Sequence, residues 1–186
     1  AHYEWQATSD QKWILGGNVQ WQDHQRRGFE FLLPNYQTFR SGLYLIGERT
    51  IGPNWTLNGG ARFDYGRNET QPYTQLIYNS NEIIIDSLTA IQTNTPFSNY
   101  SLALGAHYDP AGPWDFKANM ARSFRIPYPN ETVSNGVHHG TFRHEQGNPD
   151  LTSETGWQPE LSSIYSNAHT RIELNTYANY LRNSLY

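Results

Sequence analysis

Trp55-Thr56-Leu57-Asn58-Gly59-Gly60-Ala61-Arg62-Phe63-Asp64-Tyr65 is the stretch that decides the fold class. Its odd positions are apolar or glycine, and its even positions are Thr, Asn, Gly, Arg and Asp. A β-strand sends alternate side chains to opposite faces, so the stretch reads as a strand with one greasy and one wet side. The same alternation runs through Tyr100–Tyr108 and, with the even positions apolar or small, through Arg171–Tyr180. Lys12–Trp21 follows it less cleanly, with Trp13, Leu15, Val19 and Trp21 in one phase. Period two dominates the chain, and no convincing amphipathic helix interrupts it.

Working outward, the pattern predicts eight strands, near Ala1–Thr8, Lys12–His24, Gln37–Ile51, Asn54–Asn68, Phe97–Asp109, Pro113–Phe124, Leu151–Ser166 and His169–Arg182. Several are longer than globular strands usually are, while about 10 residues is the length a tilted membrane strand needs. Connections alternate. Ser9-Asp10-Gln11, Gly52-Pro53, Pro110-Ala111-Gly112 and Asn167-Ala168 are tight and rich in turn formers, whereas Gln25–Tyr36, Glu69–Pro96 and Arg125–Asp150 are long. Short turns at one end and long loops at the other are expected of outer-membrane barrels. The expectation is a set of antiparallel strands that pair only with sequence neighbours, with a hairpin extension within Glu69–Pro96. On this reading both chain ends lie on the long-loop side. Complete barrels begin and end on the other side, so the segment reads as consecutive strands cut from a larger barrel, with edges that a membrane does not tolerate unpaired.

Composition bounds the alternatives. The 186 residues lack cysteine, which removes disulfides and thiolate metal sites, and the net charge of -4 argues against a nucleic-acid partner. Aromatics make up 15% of a chain whose mean hydropathy is polar, as a wall with aromatic girdles requires. A soluble carbohydrate-binding sandwich would account for the same composition. No apolar run is long enough for a transmembrane helix. No signal peptide is visible before Ala1, which is expected of a mature or excised segment.

Residues Arg122 to Glu160 carry a family likeness. They contain Phe124-Arg125-Ile126-Pro127, then Glu131, Gly136-Val137-His138-His139-Gly140, and Gly147-Asn148-Pro149-Asp150-Leu151 followed by Glu154. This resembles the strand–loop–strand segment of TonB-dependent receptor barrels, where one strand ends in Phe-Arg-x-Pro and the next opens with Gly-Asn-Pro-x-Leu. Leu33-Pro34-Asn35-Tyr36 and Gly60–Tyr65 resemble further barrel segments of that family. Thr132, Gly156 and Gln158 depart from its commoner residues. The resemblance implies that residues 1–186 are part of a barrel of about 22 strands around a plug. The plug and the remaining strands lie outside this sequence. It further implies residence in the bacterial outer membrane, contact with its lipid, coupling to the TonB complex through the plug, and uptake of a metal chelate such as an iron–siderophore, haem or a zinc-type substrate.

Candidate chemistry concentrates in 138–145. His138, His139, His144 and Glu145 supply imidazole and carboxylate, which suit a divalent metal. Adjacent histidines on an extended chain point apart, so His138 and His139 share an ion only if the chain turns between them. With Arg125 they are also candidates for substrate contact. Asn58, Arg62, Asp64, His107, Lys117, Arg171, Glu173 and Asn175 fall in the polar phase and are expected to face a lumen, with Leu57, Phe63, Leu102, Leu104, Leu174 and Ala178 facing lipid. Arg122 reads as a lumen or loop anchor. No cofactor is implied, and no enzyme motif stands out. Beside transport, a non-transport barrel for adhesion or structure and a soluble all-β glycan-binding module remain open.

Overall fold

The structure, a computed structural model, describes residues 1–27, 32–138, 140 and 142–184. Of His138 only the backbone is described. The long strands are β1 (His2–Thr8), β2 (Gln11–His24), β3 (Tyr36–Ile51), β4 (Trp55–Thr70), β7 (Thr93–Tyr108), β8 (Trp114–Arg125), β11 (Glu154–Ser166) and β12 (Arg171–Tyr177), the last continued by β13 (Tyr180–Arg182). They form one antiparallel sheet in the order β1-β2-β3-β4-β7-β8-β11-β12. β12 and β13 hold a single register on β11, with Glu160 opposite Tyr177 and Trp157 opposite Tyr180. The eight expected strands are thus present, paired with their neighbours, and among the described residues the sheet is open between β1 and β12.

The long connections carry structure of their own. β5 (Tyr73–Tyr78) and β6 (Ile84–Ala90) make a hairpin within the second. The third contains a short helix that the sequence pattern did not indicate, α1 (Pro129–Val133), and a hairpin of β9 (Asn135–His138) and β10 (Arg143–Gln146). Pro129 sits in the first helical turn, where its missing N–H costs nothing, and the Glu131 carboxylate accepts the Tyr128 N–H at 2.8 Å.

Register separates two faces. Following cross-strand partners from Leu57 through Ala106 and Ala118 to Leu161 keeps to one side. That side also holds Trp13, Leu15, Val19, Leu43, Phe63, Leu102, Leu104 and Leu174. Leu104 is 69% exposed and Val19 73%, although both are large and apolar. Aromatic rows bound this face. Toward the short turns Trp5 stacks on Trp13 at 6.4 Å, and Trp55, Tyr108, Phe116, Trp114 and Tyr165 form a continuous line of ring contacts. Toward the long connections the face ends in Trp21, Tyr65, Tyr100, Trp157 and Tyr180. Trp55 to Tyr65 spans about 34 Å of strand. At a tilt of about 40° that covers about 26 Å, close to the apolar band of a membrane barrel.

Burial is concentrated elsewhere. Pro34, Thr38, Asn68, Thr70, Phe97, Ile126, Pro127, Val133 and Ser134 are buried, and all lie toward the long-connection end. The chain leaves β8 at Arg125 and folds across the polar side of β4. The Asn68 side chain donates to the Pro127 carbonyl at 3.0 Å, and a Cβ on Gly66 would meet the Ile126 side chain at 2.9 Å.

Candidate functional site

The polar face fixes the site. Asn58, Arg62 and Asp64 of β4, His107 of β7, Lys117 of β8, and Arg171, Glu173 and Asn175 of β12 all share it by register. Arg62 clasps Asp64 through Nε at 2.6 Å and through Nη2, and also donates to Asn18 Oδ1 at 2.5 Å. Gly42 lies opposite Asp64, and any Cβ there would collide with both partners of this pair. The bare backbone of Gly42 is what lets the ion pair lie flat on β3. Near the short turns His107 Nε2 lies 2.5 Å from Asp115 Oδ2, with Lys117 Nζ 4.0 Å from the other carboxylate oxygen. At the far edge Glu173 accepts from Arg171 and Asn175.

At the long-connection end these residues meet the inward-folded segment. Arg125 donates through Nη1 to both Glu131 oxygens at 2.8 Å, and the same carboxylate caps α1. The Arg40 guanidinium stands 5.0 Å from the Tyr128 ring centre, and that of Arg125 stands 6.0 Å from it. Gln20, Arg40, Arg62, Ser101, Arg125 and Tyr128 bound a cavity of about 380 Å³. Asp64 and Glu131 neutralise Arg62 and Arg125. Arg40 has no carboxylate partner among the described residues, so the cavity wall carries one uncompensated positive charge.

Arg40 and Tyr128 were not singled out from sequence. Arg40 continues the polar phase of β3, and Tyr128 precedes the Pro-x-Glu start of α1. Those are the signals that could have found them.

Of the four candidate metal ligands, only His144 and Glu145 have described side chains. His144 and Glu145 are consecutive on β10, and strand residues one apart point to opposite faces. The His144 ring bonds Asn135 Oδ1 at 3.1 Å. His139 and the His138 side chain lie outside the described residues, and among the described residues no three His, Asp or Glu converge on one point.

Register sets the Arg122 Cβ on the apolar side, opposite Leu102 and Trp157, but its guanidinium also reaches Asn99, which shares the polar side with Asp64. It anchors Asn99 and the Tyr100 carbonyl at the long-connection end.

The family model for the TonB dependent receptor-like β-barrel matches residues 2–186. The chain belongs to this family. Among curated proteins, the probable hemoglobin and hemoglobin-haptoglobin-binding protein 3 of Haemophilus influenzae is 28% identical over 134 residues, covering 67% of this chain and 12% of that protein. Two solved structures share the fold. The hemophore receptor HasR of Serratia marcescens, solved in complex with its hemophore and heme, superposes with a TM-score of 0.67 at 16% identity, over 95% of this chain and 31% of its own. The FrpB iron transporter of Neisseria meningitidis gives 0.68 at 15% identity, over 98% and 27%. The TonB-dependent receptor chain described here therefore spans about a third or less of the relatives it matches. Its sheet is a segment of an antiparallel up-and-down transmembrane β-barrel.

Proposed function

We propose that this chain is wall and mouth of an outer-membrane receptor that imports an iron compound, with haem the leading substrate, using energy delivered by TonB to the rest of the protein. The observation that carries the reading is the family match over residues 2–186. Haem is favoured because one relative is named for haemoglobin binding and one structural neighbour was solved with heme. In this reading the apolar face meets lipid and the polar face, with Asn58, Arg62, Asp64, His107, Lys117, Arg171, Glu173 and Asn175, lines the lumen. The inward-folded segment narrows the mouth, and the Arg40–Arg125–Tyr128 cavity lies beneath it. Imidazole is the commonest protein ligand of haem iron, which makes His138 and His139 the proposed substrate contacts. The excess charge at Arg40 suits a carboxylate on the incoming compound.

The test is uptake by the full-length receptor in cells lacking other haem receptors, with surface abundance matched. We expect a His138→Ala, His139→Ala double variant to lose growth on limiting haem, and Arg40→Gln to weaken whole-cell haem binding. Unchanged uptake of haem and of every iron chelate tried, in both variants, would end the substrate-binding reading.

A further inference from the structure

β7 and β8 pair from Tyr108 opposite Phe116 up to Leu102 opposite Arg122, and no further. Above that point β7 continues to Thr93 against β4, and β8 continues to Arg125 against β11. The strands part at the long-connection end, where a cleft of about 460 Å³ lies between the upper part of β7, Arg122 of β8, the start of β11 and the end of β13. Asn99, Arg122, Ser153, Thr155 and Arg182 are among its walls.

Arg122 stands where the strands separate. Its Nη1 donates to Asn99 Oδ1 at 3.0 Å and to the Tyr100 carbonyl, a group left without a β8 partner by the parting. Its guanidinium lies 3.9 Å over the Tyr100 ring. Nε and Nη2 have no acceptor among the described residues, and neither Arg122 nor Arg182 is paired with a carboxylate there. Register places Arg122, Thr155 and Arg182 on the apolar side of their strands, level with Tyr100, Trp157 and Tyr180, with one Arg122 nitrogen turned to Asn99 on the polar side. An arginine on that face in mid-bilayer would be costly. At the level of the aromatic row it meets headgroups instead. Two cations without counter-ions, flanked by hydroxyls and facing that layer, are complementary to a phosphate.

We propose that this cleft binds the phosphate of an anionic lipid headgroup in the outer leaflet. The inference rests on the reading that the apolar face meets the outer membrane. Bound lipid fills a gap in the wall that the strands themselves leave unpaired.

The experiment uses the full-length receptor in phosphatidylcholine nanodiscs doped with lipid A, with retained lipid counted by native mass spectrometry. Wild type is expected to retain lipid A in preference to phosphatidylcholine. Arg182→Gln, which removes a side chain bonded to no described residue, should weaken retention about fivefold, and the Arg122→Gln, Arg182→Gln pair about thirtyfold, at about 1 kcal/mol per arginine. Arg122→Lys should keep most of the binding. Excess inorganic phosphate should not displace the lipid. Equal retention in wild type and both Gln variants, or displacement by inorganic phosphate, overturns the inference alone. A receptor that stays in the aqueous phase and never enters the bilayer overturns the membrane reading itself.

Discussion

β4 below Tyr65 and the segment from Ile126 to Leu151 bury their residues in opposite ways. Along the strand, Leu57 and Phe63 stay 39% and 56% exposed; Leu43 and Tyr100 stand opposite Phe63, and Ala106 and Arg49 opposite Leu57. In the segment, Ile126, Pro127, Val133 and Ser134 are buried against Asn68, Gly66 and one another. A membrane wall needs no protein core, because lipid supplies its apolar surroundings and the ladder satisfies its backbone. The mouth stands in water and must build a core as a soluble domain does. Its ties are correspondingly long-range: the Asn135 N–H donates to the Leu32 carbonyl at 3.1 Å, and the Asn135 side-chain amide donates to the Thr89 carbonyl at 2.9 Å. One residue therefore joins all three long connections.

The contrast is most exposed to failure at the middle of the apolar face. In the full receptor, Leu104→Arg should destabilise the barrel by about 2–4 kcal/mol, the cost of an arginine at the bilayer midplane, while Asn175→Arg on the polar face should be nearly neutral. Urea unfolding in lipid vesicles reads both. Equal penalties would mean the faces are wrongly assigned.

A somewhat smaller effect is expected at the mouth. A Cβ at Gly147 would lie 2.5 Å from the Thr132 carbonyl carbon and the Val133 nitrogen, and the Gly147 N–H donates to the Ser134 carbonyl at 2.7 Å. Gly147→Ala should cost about 1–3 kcal/mol by overpacking and undock the segment without touching the wall. Limited proteolysis should then cut within 126–151 while the strands resist; a mouth as resistant as wild type would refute the docking.

Within the mouth, the Arg125–Glu131 pair is only partly exposed and also caps α1. A double-mutant cycle to Ala should give a coupling of about 1 kcal/mol in stability and leave strand protection unchanged. Strict additivity would show that the pair contributes nothing to holding the segment.

The smallest effect belongs to a turn at the other end. The Thr8 hydroxyl, 2.6 Å from Asp10, holds that carboxyl below the usual aspartate range, helped by the backbone of Asp10 itself and by Arg49. A depressed folded pKa contributes stability above the unfolded value, about 3.9, and loses it as pH falls through the folded one. Thr8→Val should move the Asp10 titration upward by NMR and reduce that acid-side contribution. An unmoved titration would assign the depression to the turn backbone alone.

Much of the wall was legible in the residues. Alternation in Trp55–Tyr65 and Tyr100–Tyr108 located two strands and their faces, and turn formers at Gly52-Pro53 and Pro110-Ala111-Gly112 placed the reversals. Arg122 shows how the reading could have gone further. Counting by twos from Trp114 through Phe116 and Met120 puts it on the apolar side, against what its charge suggests. At the candidate site, Arg62, Asp64 and Arg125 were identified from sequence, but Arg40 and Tyr128 were not. Their meeting depends on a loop crossing from β8 onto the face of another strand.

Sequence by itself determined which residues form the eight long strands of the wall, which phase of each is apolar and where the tight reversals fall, because those follow from side-chain alternation and turn chemistry among near neighbours. Only the tertiary structure decided that β7 and β8 part above Leu102, that the segment after Arg125 folds inward over Gly66 and Asn68, and that Arg40 reaches Tyr128. These depend on contacts such as Asn135 with Leu32 and Asn68 with Pro127, between residues far apart in the chain, where no period links one partner to the other.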